Sequence, residues 1–433
     1  MKVCSLCQRV LPDDAGFCPA DGTALLTASL APVAPSADDS RIGTRLANRY
    51  EIRRIVADGG MGRVYEGIDR QTDSRIALKV LHDHVSKDEV ALERFKREYE
   101  ISALLPHEHI VEVRDFQRDE ASKTWLLIME FLDGEELRYV LKREGVLPPE
   151  RIIRMMSQVA IGLDEAHARG FVHRDLKPDN LFLCGTREGD VVKLLDFGSA
   201  KVTATPSTKK LTVLGTTIGS PYYMAPEQAQ GLETLDPRAD IFALAAVTYE
   251  CMTGQVPFVG TNGPSILLAI LTKDPVPPSV KAANAKYPVA PAADEVIESA
   301  LAKNPAIRTP TVGAFADALG HAYGLVGDHR QWARTPQQEL AAVIAKATAE
   351  RAARVPIAVV ADPFAAPAPA IAGAPAPYEA IRGMDEAFGA TREADLVPQG
   401  VPSAKPQWLL PVIVGLLALV LGGAITLVVM MAR

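Results

Sequence analysis

His173-Arg174-Asp175-Leu176-Lys177-Pro178-Asp179-Asn180, followed by Asp196-Phe197-Gly198, is the stretch that decides the fold. Carboxylates, a lysine and a carboxamide stand there in fixed order within a short span. The set suits phosphoryl transfer, which needs a carboxylate to accept a hydroxyl proton and oxygen ligands to hold magnesium on a nucleotide's phosphates. An Asp or Asn in any one loop is usually a turn former. All of them being turn formers, in this order and spacing, is not a credible alternative.

The octamer resembles the protein-kinase catalytic loop and the triplet its magnesium-binding turn. On these residues the chain is similar to bacterial, eukaryotic-like (Hanks-type) serine/threonine protein kinases, over about Tyr50 to Gly320. The resemblance implies an α+β, two-lobed fold with ATP between a small sheet-rich lobe and a larger helical one. It implies that Asp175 is the base, that Lys177 neutralises the transferring phosphoryl group, and that Asn180 and Asp196 hold Mg2+. A lysine at position 177 marks the Ser/Thr branch of the family.

Upstream, Ile55-Val56-Ala57-Asp58-Gly59-Gly60-Met61-Gly62-Arg63-Val64-Tyr65 resembles the glycine-rich strand–turn–strand. Backbone amides approach phosphates closely only where side chains are absent. The resemblance makes Val56, Ala57, Gly59, Gly60, Gly62 and Val64 nucleotide-binding positions. Ala57 stands where the family has its first glycine, which implies a stiffer lid without loss of binding. Ile76-Ala77-Leu78-Lys79 reads as an alternating strand, and by resemblance Lys79 pairs with the α- and β-phosphates and with a helix glutamate. Glu98 is the best candidate for that glutamate, with Glu93 and Glu100 as competitors. Trp125 to Leu132 reads as a buried strand entering a linker; by resemblance Met129 is the gatekeeper, and the Glu130 and Leu132 backbones meet adenine.

Arg151 to Arg169 has helical periodicity leading into the catalytic loop. Downstream, Asp196 to Glu227 is the expected activation segment, dense in Thr and Ser. Thr212, Thr216 and Thr217 are the expected phosphosites, with Arg174 as receptor for the added charge. By resemblance Ser220 helps select Ser or Thr acceptors, Glu227 and Arg308 form a buried ion pair, and Asp240 braces the catalytic loop.

The ends carry different signals. Cys4, Cys7 and Cys18, with Asp21 where a fourth cysteine belongs, look like a small zinc ribbon over residues 1–26. A reduced tail without metal is the competing reading. Residues 27–45 are rich in Ala, Ser and Pro and read as a linker. A capped, Ala-rich helix is expected at 335–354, then an Ala/Pro-rich disordered linker at 355–406. From Gln407 to Ala432 the sequence is uncharged and almost wholly apolar, and about 20 such residues span a bilayer. A single C-terminal transmembrane helix at 407–432 is therefore expected, with no sensor domain beyond it and the ATP-using domain on the cytoplasmic side of the inner membrane. Ala418, Gly422 and Thr426 recur every fourth residue and leave a helix-paired homodimer open.

Net charge is −7 and no long basic block occurs, so nothing points to nucleic acid. An odd count of five cysteines argues against a disulfide framework, and Cys184 and Cys251 read as small buried hydrophobes. The expected function is that of a membrane-tethered transferase: a kinase acting on Ser/Thr of protein substrates, its own activation loop included. A nucleotide-binding pseudokinase is the main rival, disfavoured because Lys79, Asp175 and Asp196 are all present. An adaptor working through ribbon and tether is the other.

Overall fold

The computed structural model describes residues 2–3, 10–11, 39–59, 62–197, 201–202, 221–232 and 234–354. Strands β1 (Lys2–Val3) and β2 (Val10–Leu11) form a short antiparallel pair. Cys4, Cys7, Cys18 and Asp21 lie outside the described residues, as do Thr212, Thr216, Thr217, Ser220 and everything from 355 onward, the 407–432 stretch included. Among the described residues no helix is long and apolar enough to cross a membrane, and no group of three or more His, Cys, Asp or Glu is placed to hold a metal.

Described chain resumes at Asp39, inside the stretch expected to be linker, and β3 (Arg45–Leu46) already pairs with β4 (Tyr50–Asp58). With β5 (Gly62–Asp69), β6 (Ser74–Leu81), β7 (Val113–Arg118) and β8 (Trp125–Glu130) they make an antiparallel sheet of order β3-β4-β5-β6-β8-β7. Strand side chains alternate between faces. Ile76, Leu78 and Val80 of β6 therefore join Leu126 and Ile128 of β8 in one apolar cluster. Leu81 and Leu127 face the other way, onto Phe95. Lys79 shares that second face, which two helices cover: α1 (Asp83–Ser86) and α2 (Glu89–Leu104).

A linker leads to β9 (Glu135–Glu136) and α3 (Leu137–Glu144), then α4 (Pro149–Ala168), close to the helix expected there. Pro149 suits a helix start because it has no amide hydrogen to leave unpaired. Next come β10 (Phe171–Val172), the hairpin β11 (Leu181–Thr186) and β12 (Gly189–Leu194), and β13 (Lys201–Val202), which pairs with β10. Beyond the activation segment stand α5 (Pro226–Ala229) and α6 (Arg238–Thr253). Every residue of α6 from Ala239 to Met252 is buried, which makes it the lobe's central post; Gly254 ends it at φ +71°.

Helices α7 (Gly263–Thr272), α8 (Pro278–Lys281), α9 (Ala292–Ala300), α10 (Val312–Ala322), α11 (His329–Trp332) and α12 (Gln337–Arg354) complete this lobe. Its core does not stop near Gly320. Trp332, Leu340 and Ile344 are buried in it, and α4 reaches out to the later segment through Arg154 Nε on the Thr335 carbonyl (3.0 Å) and Gln158 Nε2 on the Ala333 carbonyl (3.2 Å). Helix α12 begins at Gln337, two residues after the expected start. The Thr335 hydroxyl donates back to the Gln331 carbonyl at 3.0 Å.

Candidate active site

Period-two alternation puts Lys79 beneath α2, where its Nζ lies 3.4 Å from Glu98 Oε2 and 4.5 Å from the Phe95 ring centre. The phase of α2 buries Glu98 and leaves Glu93 and Glu100 exposed, Glu100 beside Lys96. Packing thus sets Glu98, the first choice from the sequence, beside Lys79 and leaves the two competitors at the surface.

In the helical lobe, Lys177 Nζ donates to Asp175 Oδ2 at 2.8 Å. Asn180 Nδ2 donates to the Asp175 carbonyl at 2.7 Å and reaches its Oδ2 at 3.4 Å. Pro178–Asn180 form one 3-10 turn, which brings Asn180 back onto Asp175. Asp196 follows β12 with φ +56°, a left-handed conformation uncommon outside glycine. Its neighbour Leu195 is tied to the same loop: the Leu195 amide donates to the Asn180 carbonyl (2.9 Å), and His173 Nε2 meets the Leu195 carbonyl (2.9 Å). Phe197 is buried edge-on to His173, with ring centres 4.7 Å apart. The segment after α2 joins the strand leading to Asp196, since the Leu194 amide donates to the His109 carbonyl and the Val111 amide to the Leu194 carbonyl.

Asp240, 1% exposed, holds this loop from α6. Its Oδ2 accepts from the His173 amide and His167 Nε2, and its Oδ1 from the Arg174 amide, each at 2.8 Å. Burial alone would push its carboxyl up, but the His167 hydrogen bond, the nearby histidines and the Arg174 amide hold it below the usual carboxylate value. Glu227 and Arg308 form a two-pronged pair at 2.7 and 3.0 Å, with the Arg308 side chain fully buried.

At the glycine-rich stretch, β4 and β5 meet at Asp58 and Arg63, and the Gly59 amide donates to the Gly62 carbonyl at 3.1 Å. Gly62 cannot carry a side chain, since a Cβ would sit 2.5 Å from the Val80 carbonyl oxygen. Val56 is 45% exposed, Val64 is half-buried opposite Ala57, and Gly60 lies outside the described residues. Met129 is half-buried against the Phe95 cluster. The Glu130 amide donates to the Glu112 carbonyl at 2.9 Å, so an adenine contact there falls to its carbonyl; Leu132 is half-buried in the linker.

Sequence reasoning missed a buried polar knot under the loop. Arg138 of α3 donates to Glu250 Oε1 (2.8 Å), the Tyr223 hydroxyl (2.6 Å) and Asp179 Oδ2 (3.3 Å), while Tyr223 donates to Glu250 Oε2 (2.6 Å). Nothing in the sequence singles out Arg138 or Glu250, because the partners lie 112 positions apart. Burial, reinforced by the Asp179 charge, pushes the neighbouring Glu136 carboxyl up to about 7. Arg174 is half-buried, its Nε meets no hydrogen-bond partner among the described residues, and burial together with the Arg97 charge lowers its pKa against the opposing pull of Asp240. Cys251 is buried as expected, whereas Cys184 is only half-buried on β11.

The family profile described as protein kinase domain matches residues 50–323. Serine/threonine-protein kinase pkn3 of Myxococcus xanthus is 37% identical over 283 residues, which cover 65% of this chain and 51% of that protein. Serine/threonine-protein kinase PknA of Mycobacterium tuberculosis is 39% identical over 283 residues, covering 64% and 62%. The chain thus spans between half and two thirds of the length of these relatives. A crystal structure of the Mycobacterium tuberculosis PknI kinase domain matches with a TM-score of 0.50 at 30% identity, covering 65% of this chain and 98% of that one.

Proposed function

This chain belongs to the protein kinase family, with a domain of the ATP-dependent serine/threonine type at residues 50–323, and we propose that the whole protein phosphorylates Ser and Thr hydroxyls of other proteins from a membrane-tethered position. The observation that carries the reading is Asp175, whose Oδ2 faces both Lys177 Nζ and Asn180 Nδ2. In this reading the acceptor hydroxyl gives its proton to Asp175 as its oxygen bonds the γ-phosphorus and the bond to the β-phosphate oxygen breaks. Lys177 offsets charge on the transferring group, and Lys79, held by Glu98, steadies the α- and β-phosphates.

The donor set fits magnesium. Asn180 spends its amide nitrogen on the Asp175 carbonyl, so its oxygen is the atom left to coordinate, and Asp196 adds a carboxylate; both are the hard ligands that ion prefers. Bound there, magnesium supplies charge neutralisation to the phosphates.

Autophosphorylation at Thr212, Thr216 or Thr217 is part of the reading, supported by Arg174, whose Nε meets no partner among the described residues, and by the Arg97 charge that acts on it. Two guanidinium groups near one another favour an added phosphate. Ser220 contributes to Ser/Thr selection on resemblance alone. The tether at 407–432, a homodimer through it, a cytoplasmic kinase domain at the inner membrane, and zinc on Cys4, Cys7, Cys18 and Asp21 rest on the sequence patterns.

Incubation of the full chain with radiolabelled ATP, magnesium and a mixed protein substrate, followed by acid hydrolysis, tests the proposal. Labelled phosphoserine and phosphothreonine are expected. Label confined to phosphotyrosine, or none at all, would end the reading.

A further inference from the structure

Chain that precedes the matched domain reaches the glycine-rich turn. Asp39 lies ahead of residues 50–323, yet its side chain is only 6% exposed. It accepts from the Arg41 amide at 2.9 Å, from Arg63 Nη1 at 2.6 Å and from the Tyr65 hydroxyl. Arg63 passes the restraint onward, its Nε donating to Asp58 Oδ2 at 2.7 Å. Asp58 and Arg63 face each other at the base of the turn, which the Gly59–Gly62 hydrogen bond crosses. From the other side, His82 Nε2 lies 3.2 Å from Asp58 Oδ1 and 2.9 Å from the Gly59 carbonyl oxygen. One run of polar contacts therefore leads from Asp39 to the turn.

We infer that Asp39 is a positioning residue for the nucleotide, acting through Arg63 and Asp58 to fix the strand ends Asp58–Gly59 and Gly62–Arg63 that carry the glycine-rich turn. The inference rests on the phosphotransfer reading. A turn left loose must be ordered when nucleotide binds, and that ordering is subtracted from affinity; a turn already fixed loses less. Repulsion between the Asp39 carboxylate and the phosphates acts in the opposite sense. Arg63 sits between Asp39 and Asp58, and its guanidinium offsets that charge. Ordering therefore outweighs repulsion, and loss of the Asp39 charge weakens binding.

The test uses the full chain carrying Asp39→Asn, which keeps the shape and an acceptor for the Arg41 amide. The KM for ATP should rise about five- to tenfold, less than the full worth of a charge-assisted hydrogen bond because Asp39 acts through Arg63, while kcat stays within about twofold. In an Arg63→Gln background the same change should add less than about twofold, because the path is already cut. An unchanged or lowered KM for ATP, or an equal effect in both backgrounds, would overturn the inference. Should Asp39→Asn fail to fold, Arg63→Gln alone decides: its KM for ATP must rise, and a normal value defeats the idea. Calorimetric titration with MgATP separates the two layers. A wild-type chain that binds none removes the phosphotransfer reading and the inference with it, whereas equal binding by wild type and Asp39→Asn removes the inference alone.

Discussion

One carboxylate carries the catalytic loop: Asp240 receives two consecutive backbone amides and an imidazole while sealed from water. Removing an acceptor strands each buried donor at about 1–3 kcal/mol. Asp240→Ala should therefore destabilise the domain by about 3 kcal/mol or more, measured by urea denaturation, and a loss under about 1 kcal/mol would contradict this role. The pH dependence follows from the same contacts. Because the folded-state pKa lies below the ordinary value of 3.8, Asp240 contributes stability fully above that value. The contribution fades below pH 3.8 as protons bind the unfolded chain first, and it is gone once pH falls through the folded value. Asp240→Asn should flatten the acid limb of the stability curve in that window, and an unchanged limb would show that the charge is not what holds the loop.

At the scale of elements, α11 and α12 belong to the helical lobe. Gly320 of α10 makes room for Trp332, since a Cβ at position 320 would overlap its ring, and Trp332 Nε1 donates to the Val326 carbonyl at 3.0 Å. Emptying a site of that size costs about 3–5 kcal/mol. Trp332→Ala should lose that much stability without changing the KM for ATP; a mutant as stable as wild type would mean that this end of the lobe is dispensable. Glu227 and Arg308 work at the same scale, joining α5 to the segment before α10. Arg308→Ala leaves the Glu227 charge uncompensated, at about 3–5 kcal/mol by thermal denaturation. Retention of full stability would contradict the role of that ion pair.

Across the whole molecule, legibility followed the range of the interactions. Asp175, Lys177 and Asn180 come together within one short loop, which the 3-10 turn Pro178–Asn180 closes, so the stretch whose resemblance marked the site already held all three. Lys79 was legible by resemblance within an alternating strand, with Glu98 already the first choice of partner, and burial in the packed α2 is what sets Glu98 apart from Glu93 and Glu100. The Arg138–Glu250 knot, the docking of α12 and the reach of Asp39 to residues 24 and 26 positions away leave no local pattern. Helix α6 is buried on all sides, so no polar face marks Glu250, and Asp240 was marked by the resemblance alone. The apolar run at 407–432 makes its own prediction: deleting 407–433 should move the protein from the membrane to the soluble fraction with kcat unchanged. A full-length chain already in the soluble fraction would remove the tether.

The most direct measurement compares wild type with Asp175→Asn in radiolabelled phosphate transfer, alongside MgATP titration of both. Loss of a positioned base predicts a fall in kcat of about 10²–10⁴-fold with nucleotide affinity within about threefold. Equal turnover by the two proteins would contradict the assignment of this cleft as the place where phosphate moves.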